Sequence, residues 1–140
     1  HLFSEMVGMF QLEMAKRIVS APHSKDFSVI SVLTQTSYEG RILFHVSPGQ
    51  FSPPPKVTSA VIRLERKENY DPPCDEAWLR RITKAAFNQR RKMLRNSLKP
   101  FFSGSEVLNT EMFTKRPEQL GVESFFELAD LAEKHSNLDI

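Results

Sequence analysis

The chain has 140 residues, with 19 Lys and Arg against 17 Asp and Glu, nine prolines, five glycines and one cysteine, the length of one ordinary domain that can bury a core without covalent staples. The single Cys74 excludes a disulfide framework and a cysteine-rich zinc site and fits a reducing compartment, the cytoplasm. No apolar run of ~18 residues is present to span a membrane, and residues 1–4 lack the basic-then-apolar pattern of a secretory leader.

Val7–Phe10 is a short apolar run that reads as a buried strand. Leu12–Val19 follows with helix formers and Met14, Ala15 and Ile18 on one side. Ala21–Lys25 is a loop. Phe27–Tyr38 is rich in Val and Ile, but the spacing of Val29, Val32, Leu33 and Thr36 suits a helix with Ser28 near its start. Gly40–Val46 reads as a strand closed by the turn Ser47-Pro48-Gly49. Val57–Leu64 is the clearest strand, with Val57, Ser59 and Val61 on one face and Ala60, Ile62 and Leu64 on the other, both covered. Tyr70-Asp71-Pro72-Pro73 is a natural linker. Beyond it the pattern is helical, from Asp75 onward and again over Val122–Lys134, where Phe125, Leu128, Ala129 and Ala132 form a buried face behind Gly121, a modest cap.

The chain is thus predicted to be α/β followed by α. Three strands alone leave uncovered edges, and all five glycines are isolated, so no Gly-rich strand-to-helix turn is offered to a nucleotide cofactor. With no Met at its start, the chain reads as the end of a larger α/β domain (residues 1–69) joined to a small helical domain (70–140).

The +2 net charge hides an asymmetry. Arg80, Arg81, Lys84, Arg90, Arg91, Lys92, Arg95 and Lys99 fall in one 20-residue window without an acid, whereas the chain from Pro100 carries three basic and eight acidic residues. Such a block either lies on a solvated face or meets a polyanion such as a phosphate backbone. If helical throughout, all of them except Arg90 share an arc of ~120°, opposite Trp78, Leu79, Ile82, Ala86 and Met93. Arg90 falls toward the apolar side, and a break at Asn88-Gln89 would turn the stripe into a loop cluster. Asn96 and Ser97 could add hydrogen bonds to phosphate or sugar.

Gln50-Phe51-Ser52-Pro53-Pro54-Pro55-Lys56-Val57 is the second informative segment. Three consecutive prolines fix φ and remove three donors, so the stretch is a stiff arm rather than ladder. Phe51 on such an arm either caps the apolar edge of the sheet or offers a ring on which a flipped base stacks, worth about 1–3 kcal/mol. His1, His23, His45 and His135 have no ligand spacing, and no metal site is expected.

Three groups of residues occur here in order: Met9-Phe10-Gln11 with Glu13, Ala15 and Arg17-Ile18-Val19; Phe51-Ser52-Pro53-Pro54-Pro55-Lys56-Val57-Thr58-Ser59-Ala60-Val61; and Phe87-Asn88-Gln89-Arg90-Arg91-Lys92 with Arg95-Asn96-Ser97-Leu98. In these the chain resembles the C-terminal half of the small-subunit (16S-type) ribosomal RNA adenine dimethyltransferases, the kasugamycin-resistance enzymes, from about Met9 to Leu131. The resemblance implies the last strands and helices of a seven-stranded methyltransferase sheet, with Val57–Leu64 as its antiparallel strand, and then a helical docking domain. It implies transfer of methyl groups from S-adenosylmethionine to N6 of two adjacent adenines in the 3′-terminal hairpin loop of small-subunit rRNA, a ribosome biogenesis step. Phe51 would stack on the target adenine, and Arg90, Arg91, Lys92, Arg95 and Lys56 would contact RNA. The cofactor loop and the Asn-(Leu/Ile)-Pro-Tyr motif would precede His1, so the 140 residues alone would be inactive. The small ribosomal subunit is the implied partner, and a monomer is expected.

Thr58 stands where the family often has Asp, and Gly121 where Ser or Thr usually caps the last helix. Three other readings are weighed against this one. The macrolide-resistance enzymes of 23S-type rRNA share the arm but generally lack the Phe-Asn-Gln-Arg-Arg-Lys segment. The mitochondrial transcription factors of the same family bind nucleic acid without catalysis. The last is a helical interaction module with a solvated basic face.

Overall fold

The computed structural model describes residues 3–68 and 74–138. The linker read at Tyr70–Pro73 and the boundary between residues 69 and 70 lie outside the described residues.

Strand β1 (Glu5–Gln11) alternates strictly, turning Met6 and Phe10 inward and leaving Val7 and Met9 about half exposed. It passes without a loop into α1 (Leu12–Val19), which buries Ala15 and Ile18. Glu13 in the first turn and Lys16 and Arg17 in the last suit the helix dipole. Met14, expected on the buried side, is 38% exposed; the helix meets the sheet on a stripe too narrow to reach it.

The C-terminal carbonyls of α1 are satisfied by the next helix, α2 (Val29–Gln35). Ser31 Oγ donates to Arg17 O and accepts from the Ser28 N–H, and Gln35 Nε2 donates to Ile18 O (3.1 Å) and Ser20 O (2.7 Å). The ambiguous Val/Ile-rich segment is therefore a helix, shorter than its pattern. Its last carbonyl, Gln35 O, accepts from Lys67 Nζ at 2.6 Å.

Strands β2 (Tyr38–Val46) and β3 (Ser59–Arg66) complete a sheet of order β1-β3-β2, with β3 antiparallel to both neighbours. Ile62 pairs with Gly8 on one side and Ile42 on the other, and a bulge between Ile42 and Phe44 shifts the β2–β3 register by one residue before pairing resumes from Phe44–Val61 to Val46–Ser59. Helix α1 can lie close because of Gly40, where a Cβ would sit 2.7 Å from Leu64 Cδ2 and 3.1 Å from Val19 Cγ1. Ala60, Ile62 and Leu64 are buried against it with Ala15, Ile18 and Tyr38. The opposite face corrects the expectation that both sides of β3 are covered. Val61 is half-buried, and Val7, Met9, Phe44 and Val57 are 46–56% exposed, because no described layer packs there.

The second core belongs to the helices. Asp75 caps α3 (Glu76–Asn88), accepting from Ala77 N at 2.7 Å and Trp78 N at 3.4 Å. Leu79, Ile82, Thr83 and Ala86 form its buried face, whereas Trp78 is only half-buried. The chain then breaks before the single turn α4 (Leu94–Ser97), with Met93 in the cap position and half-buried rather than in the core. The continuous helix through Lys99 is thereby excluded. Short 3-10 turns follow at Lys99–Phe101, Glu106–Asn109, Glu111–Thr114 and Pro117–Gln119, and α5 (Val122–Leu138) closes the lobe with Phe125, Leu128, Ala129 and Ala132 buried. Phe87 stacks on Phe125 (5.7 Å) and tilts against Phe27 (6.0 Å), while Phe102 meets Phe113 edge-on at 5.2 Å. Phe27 and Val32, from the segment before the sheet closes, belong to this helical cluster. Each fully buried Phe contributes about 1.5–3 kcal/mol.

Candidate nucleic-acid interface

The segment joining β2 to β3 makes no ladder. After the 3-10 turn Pro48–Gln50, Phe51 N donates to Pro48 O at 3.2 Å, Phe51 itself is extended (φ −114°, ψ 154°), and the Ser52–Pro53 bond is cis. Phe51 is half-buried, belongs to neither buried cluster and faces no other ring among the described residues. Pro53, Pro54, Pro55 and Lys56 are exposed. The far end of the arm is anchored where Leu12 N donates to Thr58 O at 2.9 Å, a main-chain tie that does not need the family's acidic side chain. Beside that tie lies an open groove of about 250 Å³, lined by Gln11, Leu12, Glu13, Val57 and Thr58.

The cations fall into two groups. Arg80, Arg81 and Lys84 lie exposed on α3; the Arg81 guanidinium sits 4.4 Å over the Trp78 ring and 5.6 Å from the Phe101 ring, in cation–π range of both. Arg90, Arg91 and Lys92 occupy the loop after α3, closed by Lys92 N donating to Gln89 O at 2.9 Å, and Arg95 lies on α4. Among the described residues, Arg80, Arg81, Lys84, Arg91, Lys92, Arg95 and Lys99 are all exposed and none pairs with a carboxylate. Asn96 is exposed beside them. Ser97 is not available to a ligand, being buried with Oγ turned to Leu94 O. The structure thus places Arg91 and Lys92 on the loop after α3 and Arg95 on the helical turn that follows it, while Phe51 and Lys56 sit on the arm.

Arg90 differs from its neighbours. Its Nη2 donates to Ser24 O at 3.2 Å, its Nε lies 3.8 Å from Glu118 Oε2, and its guanidinium lies 5.7 Å from the Phe87 ring. Glu118 and Ser24 escape a reading by motifs. The available signal was that Arg90 alone of the basic block projected toward the apolar side of the helix.

No group of three or more His, Cys, Asp or Glu that could hold a metal occurs among the described residues, and no described helix is long and apolar enough to cross a membrane. Cys74 is half-buried. Burial, and then the carboxylates of Asp130, Asp75, Glu133 and Glu76, push its thiol above the ordinary value. Its alkylation should accelerate only at a higher pH than for an exposed cysteine; a rate–pH midpoint at or below the ordinary thiol value would contradict that environment.

A family model described as ribosomal RNA adenine dimethylase matches residues 1–134. The chain is similar to proteins named ribosomal RNA small subunit methyltransferase A from Bacteroides thetaiotaomicron (48% identical over 129 residues, covering 91% of this chain and 48% of that one) and Flavobacterium johnsoniae (46%, covering 92% and 49%). It spans about half the length of these curated relatives. Its fold is similar to that of a dimethyladenosine transferase from Plasmodium falciparum, with a TM-score of 0.82 at 21% identity, covering 96% of this chain and 59% of that one. The 23S rRNA methyltransferase ErmE is a more distant likeness, with a TM-score of 0.57 at 23% identity over 91% of this chain and 55% of that one. With nearly the whole length matched by the family model and relatives close to half identical, the chain belongs to the ribosomal RNA adenine dimethylase family.

Proposed function

We propose that this chain is the substrate-holding half of an enzyme that dimethylates N6 of two adjacent adenines in the 3′-terminal hairpin loop of small-subunit rRNA during ribosome biogenesis. The observation that carries the reading is the set of exposed cations between Arg80 and Lys99 that no described carboxylate neutralises. Self-repulsion makes such a set costly unless a polyanion completes it. Arg91, Lys92 and Arg95 then meet rRNA phosphates, Lys56 meets the backbone next to the target, and Phe51 stacks on the flipped adenine. The small ribosomal subunit is the partner, met in the cytoplasm by a monomer.

In this reading residues 1–69 end the methyltransferase domain and residues 70–140 form the docking domain. The three strands are the last of a seven-stranded sheet, which gives the free edge of β1 a partner and the Val7–Met9–Phe44 face a cover. The methyl donor is S-adenosylmethionine. The residues present do not build its cradle: β1 enters α1 with no glycine and no intervening turn, and no described strand-to-helix connection is Gly-rich. The donor is therefore assigned to residues outside this chain, and the 140 residues alone are inactive.

A titration of the complete protein with small-subunit 3′-terminal hairpin RNA, and with a large-subunit hairpin as rival, tests the reading. Tighter binding to the first is expected, with log K falling linearly in log salt. Equal or salt-independent binding would count against it.

A further inference from the structure

We infer that Arg90 is not one of the phosphate contacts but the positioning residue that locks the docking loop onto the turn between α1 and α2, and so fixes the docking surface relative to the stacking arm. The inference rests on the docking role proposed for Arg91 and Lys92.

Arg90 is engaged with protein groups, whereas Arg91 and Lys92 are exposed. The Arg90 side chain is 32% exposed, and its Nη2 takes the second lone pair of Ser24 O, which already accepts the Phe27 N–H at 3.1 Å. Its Nε faces Glu118 Oε2, a buried oxygen with no hydrogen-bond partner of its own. The backbone of Glu118 is gripped from the other side, where His23 N donates to Glu118 O at 2.6 Å. His23 is held there at φ 72°, a conformation that non-glycine residues avoid unless their surroundings fix it. Residues 23–24, 90 and 118 therefore close a ring of contacts between the sheet half and the helical half.

Breaking that ring to free Arg90 for a phosphate would leave a buried carboxylate oxygen without its cation. Keeping it sets where Arg91 and Lys92 stand relative to the arm, itself tied to the sheet through Leu12 N and Thr58 O. A hairpin that must reach both surfaces at once is sensitive to ~1 Å errors in that geometry.

The test uses the complete methyltransferase and small-subunit particles, with kcat, KM and the salt dependence of binding measured for Arg91→Ala, Arg90→Ala, Arg90→Lys and Glu118→Gln. Arg91→Ala should lower the slope of log K against log salt by about 0.7–0.9. Arg90→Ala and Glu118→Gln should keep the wild-type slope and lower kcat about tenfold, in the range a small misplacement costs. Arg90→Lys, which keeps a charge near Glu118, should recover part of the loss. A slope lowered by Arg90→Ala, or an unchanged kcat in Glu118→Gln (a near-isosteric change that stands in should Arg90→Ala not fold), overturns the inference. An unchanged slope in Arg91→Ala would instead overturn the docking role.

Discussion

Reversing Arg91 and Lys92 to glutamate in the complete protein should weaken binding to the small subunit about a hundredfold. Charge-assisted hydrogen bonds to phosphate contribute about 1.5–3 kcal/mol each, so losing two and adding two repulsions readily reaches that size. The slope of log K against log salt should fall by roughly 1.4–1.8, the release expected from two contacts. Both side chains are exposed and unpaired, so the thermal midpoint should barely move. A binding isotherm series across salt concentrations checks this, and an unaltered slope would remove these residues from the interface.

Phe51→Ala should slow methyl transfer by about 5–150-fold, the kinetic equivalent of the 1–3 kcal/mol that one base stacked on an aromatic ring supplies. Binding to the subunit should be nearly retained, because the docking loop is untouched. Phe51→Tyr, which keeps the ring, should restore turnover. The alternative role, a cap on the sheet's apolar edge, makes the opposite forecast: a lowered thermal midpoint and little kinetic change. Phe51 lies outside both buried clusters, which favours the first outcome. Wild-type turnover in Phe51→Ala on small-subunit particles would end the stacking role.

The strands were legible because their signals are local. Val57–Leu64 was displaced by only two residues from the observed Ser59–Arg66, and three prolines ruled out a ladder over the arm on covalent grounds. The end of α3 was not legible in the same way. Residues 88–93 contain no glycine or proline, and Gln, Arg, Lys and Met all favour helix. What stops the helix is tertiary. Phe87 is held between Phe27 and Phe125, Arg90 reaches Ser24 O, and Leu94 N donates to Lys115 O at 2.9 Å. The same holds at the site. The density of cations could be counted along the chain, but Arg90's acceptor is 66 residues away. Met14 and the uncovered face of β3 were misjudged for a related reason: apolar side chains say that burial is favourable, not that a covering layer is at hand.

The strand order has a consequence for synthesis. The middle strand, β3, is the last of the three to be made, and β1 and β2 make their ladders with it and not with each other. Until residues 59–66 have emerged, the growing chain holds two strands without a mutual partner, with Val7, Met9 and Phe44 uncovered. The twelve residues between Val46 and Ser59, which carry the arm, then set how far β3 must double back onto β2. By contrast, Gln11 and Ser59, where β1 joins the same strand, are 48 positions apart, a longer closure that costs about 1 kcal/mol more chain entropy. The segment read as a substrate-facing arm is thus also the short connection through which the sheet can first close.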